Sequence, residues 1–284
     1  MLLKFPQSSM RQSVTMRTLI SPLGVAWRVQ REAVMMLGAR RALLMQIAHP
    51  AVAAAVAEHS HFRQDPFGRL RRTIELMFAL AFGTVEEAER AYGQVDSVHA
   101  RIRSRPDEAE HTGAIPYNAR DPELLLWVHA TLADTAMLVY RRFVGNLRAG
   151  QARQFYEESK AAARLFRIPD SLIPAGLGEF NRYMRDMIES GPVRASATAR
   201  RLARSILYPP VLLVPSFAFD AVNTITAGLL PAPLREQFGL GWDPARQLLF
   251  DAAGTAIRMM LPLLPDFLRA IPAARTAERA LTQH

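Results

Sequence analysis

Residues 121–143 read DPELLLWVHATLADTAMLVYRRF and contain both the start signal and the body of a helix. Asp121 is placed to cap the first turn, Pro122 suits the first helical position, and Glu123 lies at the positive end of the helix dipole. Apolar residues then recur at helical spacing, and His129 shares their face. The sequence therefore predicts a helix from Asp121 to about Phe143 with a histidine on its apolar side.

The same helical pattern recurs along the rest of the chain, and no run of alternating residues bounded by hairpin turns indicates a strand. Thr84 followed three residues later by Glu87 has the form of a capping box. Prolines interrupt the last third, which we expect to be more irregular. The sequence predicts an all-α fold, a single globular multi-helix domain over residues 1–284 that encloses a pocket, with the C-terminal helices of residues 195–280 in the same domain. Further helices are predicted at Arg31–Ala48, Ala51–Glu58, Arg69–Phe82, Ala149–Phe166, Leu177–Ile188 and Ala195–Leu207.

Composition excludes several kinds of chemistry. The 284 residues include no cysteine, which rules out disulfides, thiolate nucleophiles and Cys-ligated zinc or iron–sulfur clusters. The formal charge of +9 is spread along the chain without interleaved aromatic residues, so we expect no nucleic-acid partner. The apolar runs fall short of the roughly 18–20 residues that a membrane span needs, and the N-terminus lacks the features of a secretory signal. We expect a cytoplasmic protein.

Histidines are the natural metal ligands in a chain without cysteine. The capping box at Thr84 opens a predicted helix that Arg105-Pro106 ends, and His99 lies on its apolar face. His129 lies on the apolar face of the next predicted helix, so the two histidines could face one interior space. The alternative is that each is a core histidine hydrogen-bonded to a carbonyl group. His49 precedes Pro50, where a contact at a helix end is the simpler interpretation, and His111 and His284 are expected in solvent.

The spacing of the histidines favours one kind of metal site over others. Neither Glu-x-x-His nor His-Glu-x-x-His occurs, so the patterns of di-iron bundles and zinc proteases are absent. Haem needs only one axial histidine, because the porphyrin supplies four nitrogens. Arg69 and Thr73 lie one helical turn apart and would make a polar spot on the most apolar helix of the first half. Alternatively, Arg69 faces solvent or pairs with Asp65.

Four ordered motifs make the chain resemble the mpaB-like oxygenase family, which includes rubber oxygenases. The resemblance is strongest over residues 25–175 and looser beyond. The motifs are Leu44-Met45-Gln46-Ile47-Ala48-His49-Pro50-Ala51-Val52-Ala53 with His59-Ser60, Asp65-Pro66-Phe67-Gly68-Arg69-Leu70-Arg71-Arg72-Thr73, Val98-His99-Ala100-Arg101-Ile102-Arg103, and Tyr117-Asn118-Ala119-Arg120-Asp121-Pro122-Glu123-Leu124-Leu125-Leu126-Trp127-Val128-His129-Ala130.

The resemblance implies an all-helical fold around haem b. It implies that His99 is the axial ligand of the iron, that Arg69 and Thr73 are catalytic residues that border the pocket, and that Arg72 and, in a supporting role, His129 bind the cofactor. The chain departs from the rubber oxygenase at Arg72, which stands where that enzyme has a lysine able to close onto the iron. Arginine stays protonated and has no lone pair to offer, so we expect the sixth iron position to be open, or held by water or another side chain.

These observations lead to a principal hypothesis and two alternatives. The principal hypothesis is a haem b oxygenase that acts with dioxygen on a hydrophobic substrate, a class that includes unsaturated small molecules and lipid-like compounds. One alternative keeps the haem and assigns peroxidase-like or monooxygenase chemistry. The other is a non-catalytic helical carrier of haem or hydrophobic ligands, or a membrane-surface protein, with the apolar region from Tyr208 to Pro265 resting on an anionic bilayer.

Overall fold

Helices are the regular elements of the fold throughout the described part of the chain. The structure is a computed structural model that describes residues 17–59, 66–104, 115–209 and 216–282, and only the backbone of residues 66–71 and 216–218. Within these ranges, β-type pairing is limited to isolated bridges, namely Thr18–Thr84, Glu32–Ala270 and Arg103–Asn118. The prediction of an all-α fold is confirmed.

The α-helices are numbered here in chain order. They are α1 (Val25–Gln30), α2 (Ala39–Ala48), α3 (Pro50–His59), α4 (Pro66–Phe82), α5 (Val85–His99), α6 (Pro122–Phe143), α7 (Ala149–Leu165), α8 (Leu177–Glu189), α9 (Ala197–Leu207), α10 (Ser216–Leu229), α11 (Ala232–Gln237), α12 (Pro244–Met260), α13 (Asp266–Arg269) and α14 (Pro272–Thr282). Two short 3₁₀ helices lie at Ala33–Gly38 and Leu261–Leu263.

One large apolar core joins the two ends of the described chain. Its members run from Ile20 to Ala274, and α6 contributes Trp127 and Met137 to it. Helix α6 packs against α2, α7 and α12, while α2 also packs against α3 and α9. The α6 segment is therefore the central helix of the fold. The outer bounds of the predicted domain, residues 1 and 284, lie outside the described residues.

A partly buried ion pair connects the segment that follows α1 with the C-terminal helices. Glu32 is only 2% exposed, and Arg269 donates to both of its carboxylate oxygens, with the shortest contact at 2.8 Å. Nearby, Arg31 contacts Asp266 at 2.8 Å and Glu278 at 2.9 Å. The C-terminal helices are thus attached to the segment between α1 and the first 3₁₀ helix.

Two predicted segments differ from the structure in an informative way. The single helix predicted over Arg31–Ala48 is a 3₁₀ helix up to Gly38 followed by α2. Gly38 packs so closely on α6 that an added Cβ would lie 2.6 Å from Thr135. The last third of the chain is more helical than expected. Pro244, for example, does not interrupt a helix but begins α12, at a position where a missing N–H costs nothing.

Helix α5 begins with the capping box that the sequence predicts. The Glu87 amide donates to the Thr84 hydroxyl at 3.2 Å, and the Thr84 amide donates to the Glu87 carboxylate at 2.9 Å. Helix α5 packs mainly on α4, so this cap supports the start of an antiparallel pair of helices.

We predict that Thr84→Ala lowers the free energy of unfolding by about 1 kcal/mol, because the Glu87 amide loses the hydroxyl oxygen that accepts its hydrogen bond. Thr84→Ser keeps the hydroxyl and should stay within about 0.5 kcal/mol of the parent protein. Urea unfolding of the three proteins provides the comparison. Equal stability of the alanine and serine variants would show that the cap contributes nothing.

Candidate functional site

Helix α6 contains most of the last of the four motifs. The Asp121 carboxylate accepts a hydrogen bond from the Glu123 amide at 2.9 Å, and Pro122 occupies the first turn, as predicted. Trp127 is fully buried, and its indole N–H donates to the Met45 carbonyl at 3.2 Å. This bond fixes the rotation of α6 against α2, and it therefore also fixes the direction of His129 two residues further on.

His129 has a buried ring nitrogen that no described residue satisfies. Part of the side chain remains accessible, but Nε2 is shielded from solvent and has no hydrogen-bond partner among the described residues. Burial lowers the pKa of His129 to about 4, so the imidazole is neutral near pH 7. Leaving such an atom unpaired costs about 1–3 kcal/mol, which a bound group with a polar atom would recover.

His99 is the last residue of α5 and is half-buried. Burial is the main cause that lowers its pKa; the carboxylate of Asp96 acts in the opposite direction, and the guanidinium of Arg120 adds to the lowering. Arg120 in turn holds Asp96 with two hydrogen bonds of 2.7 and 2.9 Å. His99 is therefore a neutral imidazole with a lone pair, and the Asp96–Arg120 pair joins its helix to the segment that leads into α6.

His49 lies at the junction of α2 and α3 and, like His129, has a buried ring nitrogen without a described partner. Its Nδ1 atom is buried and has no hydrogen-bond partner among the described residues. The expected helix-end contact is therefore not made by Nδ1. Burial lowers the pKa of His49, while the nearby carboxylate of Asp121 opposes that change. This electrostatic contact places His49 near the amino-terminal end of α6.

Of the four motif histidines, His49 and His99 interact electrostatically with Asp121 and Arg120 at the start of α6, and His129 lies on α6 itself. His129 lies about 12 Å along the helix from Asp121, at 1.5 Å per residue. Across the described ranges, no three histidine or acidic side chains are grouped closely enough to hold a metal ion. The region thus offers separate neutral imidazoles, which suit a cofactor that needs a single protein ligand.

Helix α4 carries the other predicted site residues. Arg72 and Thr73 are exposed on this helix. Arg69 belongs to α4, but its side chain lies outside the described residues, as does Asp65. The structure therefore does not bring Arg69, Arg72 or Thr73 into described contact with His99 or His129, and their roles stay predictions. His111 and His284 also lie outside the described residues.

A polar cluster that the sequence reasoning did not assign lies at the end of α3. The Tyr117 hydroxyl donates to Glu58 at 2.5 Å and lies 2.8 Å from Nε2 of His59. Tyr117 is buried, and its ring meets the imidazole edge-on. His59 and Tyr117 are both within the quoted motifs, which was the available signal, but their separation of 58 positions gave no reason to pair them.

One open surface hollow of about 480 Å³ lies beside α8 and is lined by residues that include Asp170, Pro174, Arg182 and Tyr183. None of the predicted site residues lines it. The pocket predicted for a cofactor and substrate is a different feature and stays a prediction.

Comparison with protein families decides the nature of the domain. Residues 27–259 match the catalytic domain described as "ER-bound oxygenase mpaB/B'/Rubber oxygenase". The chain belongs to this family. The match includes Arg69, Arg72, Thr73, His99 and His129, and it continues through most of α12, beyond the region in which the resemblance is strongest. The mpaB/rubber oxygenase domain of this chain is thus an oxygenase-type catalytic domain.

Two mycobacterial proteins are similar to this mpaB/rubber oxygenase family member over most of its length. An uncharacterized protein of Mycobacterium bovis and one of Mycobacterium tuberculosis are each 25% identical to it over 229 residues, covering 78% of this chain and 87% of the relative. No solved structure matches the chain significantly. Among the described helices, none is both long and apolar enough to cross a membrane.

The buried state of His129 makes the stability of this domain depend on pH. An unfolded chain has an ordinary histidine pKa of 6.5, whereas the pKa of folded His129 is about 4. Between these pH values the unfolded state binds a proton that the folded state does not. The free energy of unfolding therefore falls as the pH drops from about 6.5 to about 4.

We predict that His129→Gln removes part of this pH dependence. Between pH 7 and pH 5 the parent protein should lose on the order of 1 kcal/mol more stability than the glutamine variant, since each unit of pKa shift corresponds to about 1.4 kcal/mol and the side chain is only partly shielded. Urea unfolding at both pH values measures the difference. Equal losses in the two proteins would show that His129 is protonated equally in the folded and unfolded states.

Proposed function

We propose that this chain is a haem b oxygenase in which His99 is the axial ligand of the iron, and in which dioxygen and a hydrophobic molecule are the reactants. The observation that carries the proposal is the oxygenase family match over residues 27–259. The matched region includes His99, a half-buried histidine whose pKa is lowered by burial, so that a neutral imidazole is available. We further propose that the protein acts in the cytoplasm.

Two properties of the motif histidines fit a haem group. His99 supplies one neutral nitrogen donor, which is all that a porphyrin-bound iron requires from the protein on one side. His129 and His49 each hold a buried nitrogen without a described partner, and a polar group bound beside them would satisfy either atom. Haem bound here would supply the activation of dioxygen.

We propose a separate role for Arg69, Arg72 and Thr73 of α4. An arginine side chain has no lone pair to offer, so Arg72 would not be a ligand of the iron in a bound haem. Arg69 and Thr73 are donors one turn apart, and we assign them to the polarisation of dioxygen or of the substrate. A guanidinium on this helix could alternatively pair with a porphyrin carboxylate, because arginine and carboxylates form strong charge-assisted hydrogen bonds.

Isotope incorporation tests the proposed activity directly. Purified, haem-loaded protein would be incubated with ¹⁸O₂ and squalene, an unsaturated hydrocarbon, and separately with linoleic acid, and the products examined by mass spectrometry. The proposal expects ¹⁸O in an apolar product, and no such product with His99→Ala protein. Binding of both probes without incorporation of ¹⁸O would instead support the carrier function.

A further inference from the structure

Helix α12 exposes an uninterrupted apolar surface. Leu248, Leu249, Met259 and Met260 are 70%, 62%, 70% and 59% exposed, and Leu263 just beyond the helix is 82% exposed. Large apolar side chains at such exposure are unusual on the surface of a protein that acts alone, and a contiguous group of them marks a binding surface.

The exposed side chains follow a regular spacing. Alternating steps of four and three residues connect a series of exposed apolar positions, which we call the α12 stripe. The stripe comprises Ala245, Leu249, Ala252, Ala256, Met259 and Leu263. This is the heptad spacing with which one helix packs along another. Leu248 and Met260 border the stripe on either side.

The opposite face of α12 is already occupied by the protein's own core. Gly254 lies against the guanidinium of Arg142, where an added Cβ would come within 2.5 Å of Nε, and Phe250 is buried beside it. Arg142 also contacts Asp251 at 2.7 Å. The inward face therefore accounts for the attachment of α12 to α6, and the stripe remains without a partner in the described structure.

Charged residues lie to the sides of the stripe and not within it. Asp251 faces Arg142, Arg246 contacts Asp243 and the Gly241 carbonyl, and Arg258 donates to the Arg141 carbonyl. A chain with a net charge of +9 repels its own copies in general. The uncharged stripe is a surface over which two copies can meet without placing like charges opposite each other.

The stripe is self-complementary about Gly254. Leu249 and Met259 are equally distant from Gly254 along the chain, as are Ala252 and Ala256, and Leu248 and Met260. In an antiparallel pair centred there, Leu249 of one copy would face Met259 of the other, and Leu248 would face Met260. The alanines would meet in the middle, where small residues let helices approach closely. A two-fold interface requires this kind of self-matching, whereas a lipid surface does not.

The exposed apolar area is close to that of a standard protein interface. Two further large side chains that follow the stripe in the chain, Phe267 and Leu268, are 59% and 54% exposed. Seven large side chains that each offer on the order of 100 Å² approach the roughly 800 Å² per partner of a standard protein interface. We propose that this protein is a homodimer in which the α12 stripes of two copies pack antiparallel about Gly254.

Oligomeric state and its response to single substitutions test this interface. Sedimentation velocity of the parent protein at about 10 µM should show a dimer. Leu249→Glu and Met259→Glu should each weaken the dimer by roughly tenfold or more, since each buries an unpaired carboxylate. Leu23→Glu is the matched control, because Leu23 is 97% exposed at another surface. Circular dichroism should show all three variants folded.

Cysteine cross-linking tests the register independently, since the parent chain contains no cysteine. A mixture of Ala252→Cys and Ala256→Cys chains should form a disulfide-linked pair under mild oxidation. Gln247→Cys, on an exposed but different face of α12, should remain uncross-linked.

Three results would overturn the proposal. The first is a monomeric parent protein at 10 µM. The second is a dimer that the glutamate substitutions leave intact, which would place the interface elsewhere. The third is a monomer that co-sediments with phosphatidylglycerol vesicles through the α12 stripe, which would assign this surface to a lipid bilayer.

Discussion

His99→Ala protein, expressed with an adequate supply of haem, is expected to lose nearly all of its haem and the absorption of a histidine-ligated iron. The reason is that His99 is the residue that we propose to bind the iron, and alanine has no nitrogen donor to take its place. In the described structure His99 ends α5 with a neutral imidazole, and the Asp96–Arg120 pair holds the adjoining segment. Haem content by pyridine haemochrome assay and the position of the Soret band provide the measurement.

His111→Ala is the control for this experiment, because the sequence predicts a polar loop around His111. That variant should keep the haem content of the parent protein. Thermal denaturation followed by circular dichroism distinguishes loss of the ligand from loss of the fold. Equal haem loss in the two variants, or no loss in either, would show that the axial ligand is another residue.

Arg69→Ala and Thr73→Val should slow substrate oxidation by about 10²-fold each, which is the effect of removing one preorganised donor from a reacting centre. Haem content and thermal stability should stay close to those of the parent protein. The rate of autoxidation, measured from the absorption spectrum, provides the comparison if neither squalene nor linoleic acid is turned over. Unchanged kinetics in both variants would place these residues outside the chemistry.

A matched control comes from the same helix. Glu75 is an exposed residue of α4 with no assigned role in the reaction, and Glu75→Gln should keep the kinetics of the parent protein. If Arg69→Ala instead lost haem while remaining folded, Arg69 would be assigned to anchoring a porphyrin carboxylate. If it were only a surface charge, its removal would change stability by at most about 1 kcal/mol.

Local signals predicted much of the fold. The capping residue, the proline and the acidic residue at the start of α6 are three consecutive residues, Asp121, Pro122 and Glu123. The structure places them as the sequence indicates. The capping box of α5 follows the same logic. These features depend on neighbours within one helical turn, so tertiary packing does not need to be known in order to predict them.

Features that depend on distant residues were not predictable in the same way. The 3₁₀ helix before α2 follows from the close approach of Gly38 to α6, which the pattern of apolar residues does not encode. Arg41 is buried and donates to Asp134, Thr135 and the Leu229 carbonyl, yet a single arginine in a helical pattern reads as a surface residue. In each case the decisive neighbour lies about 90 positions or more away.

The candidate site shows the same division. The motif residues identified His99 and His129, but the sequence did not show that Nδ1 of His49 is buried or that Tyr117 joins Glu58 and His59. Burial and pairing arise from contacts between residues that are far apart in the sequence, such as Glu58 and Tyr117. The resemblance located the residues, and the structure supplies their protonation states and hydrogen-bond partners.

The absorption spectrum of the purified parent protein, recorded with its haem and iron content, tests the central proposal most directly. The protein should show a Soret band and contain close to one haem per chain, either as purified or after reconstitution with haemin. Colourless, iron-free protein that cannot be reconstituted would contradict the assignment of a haem oxygenase.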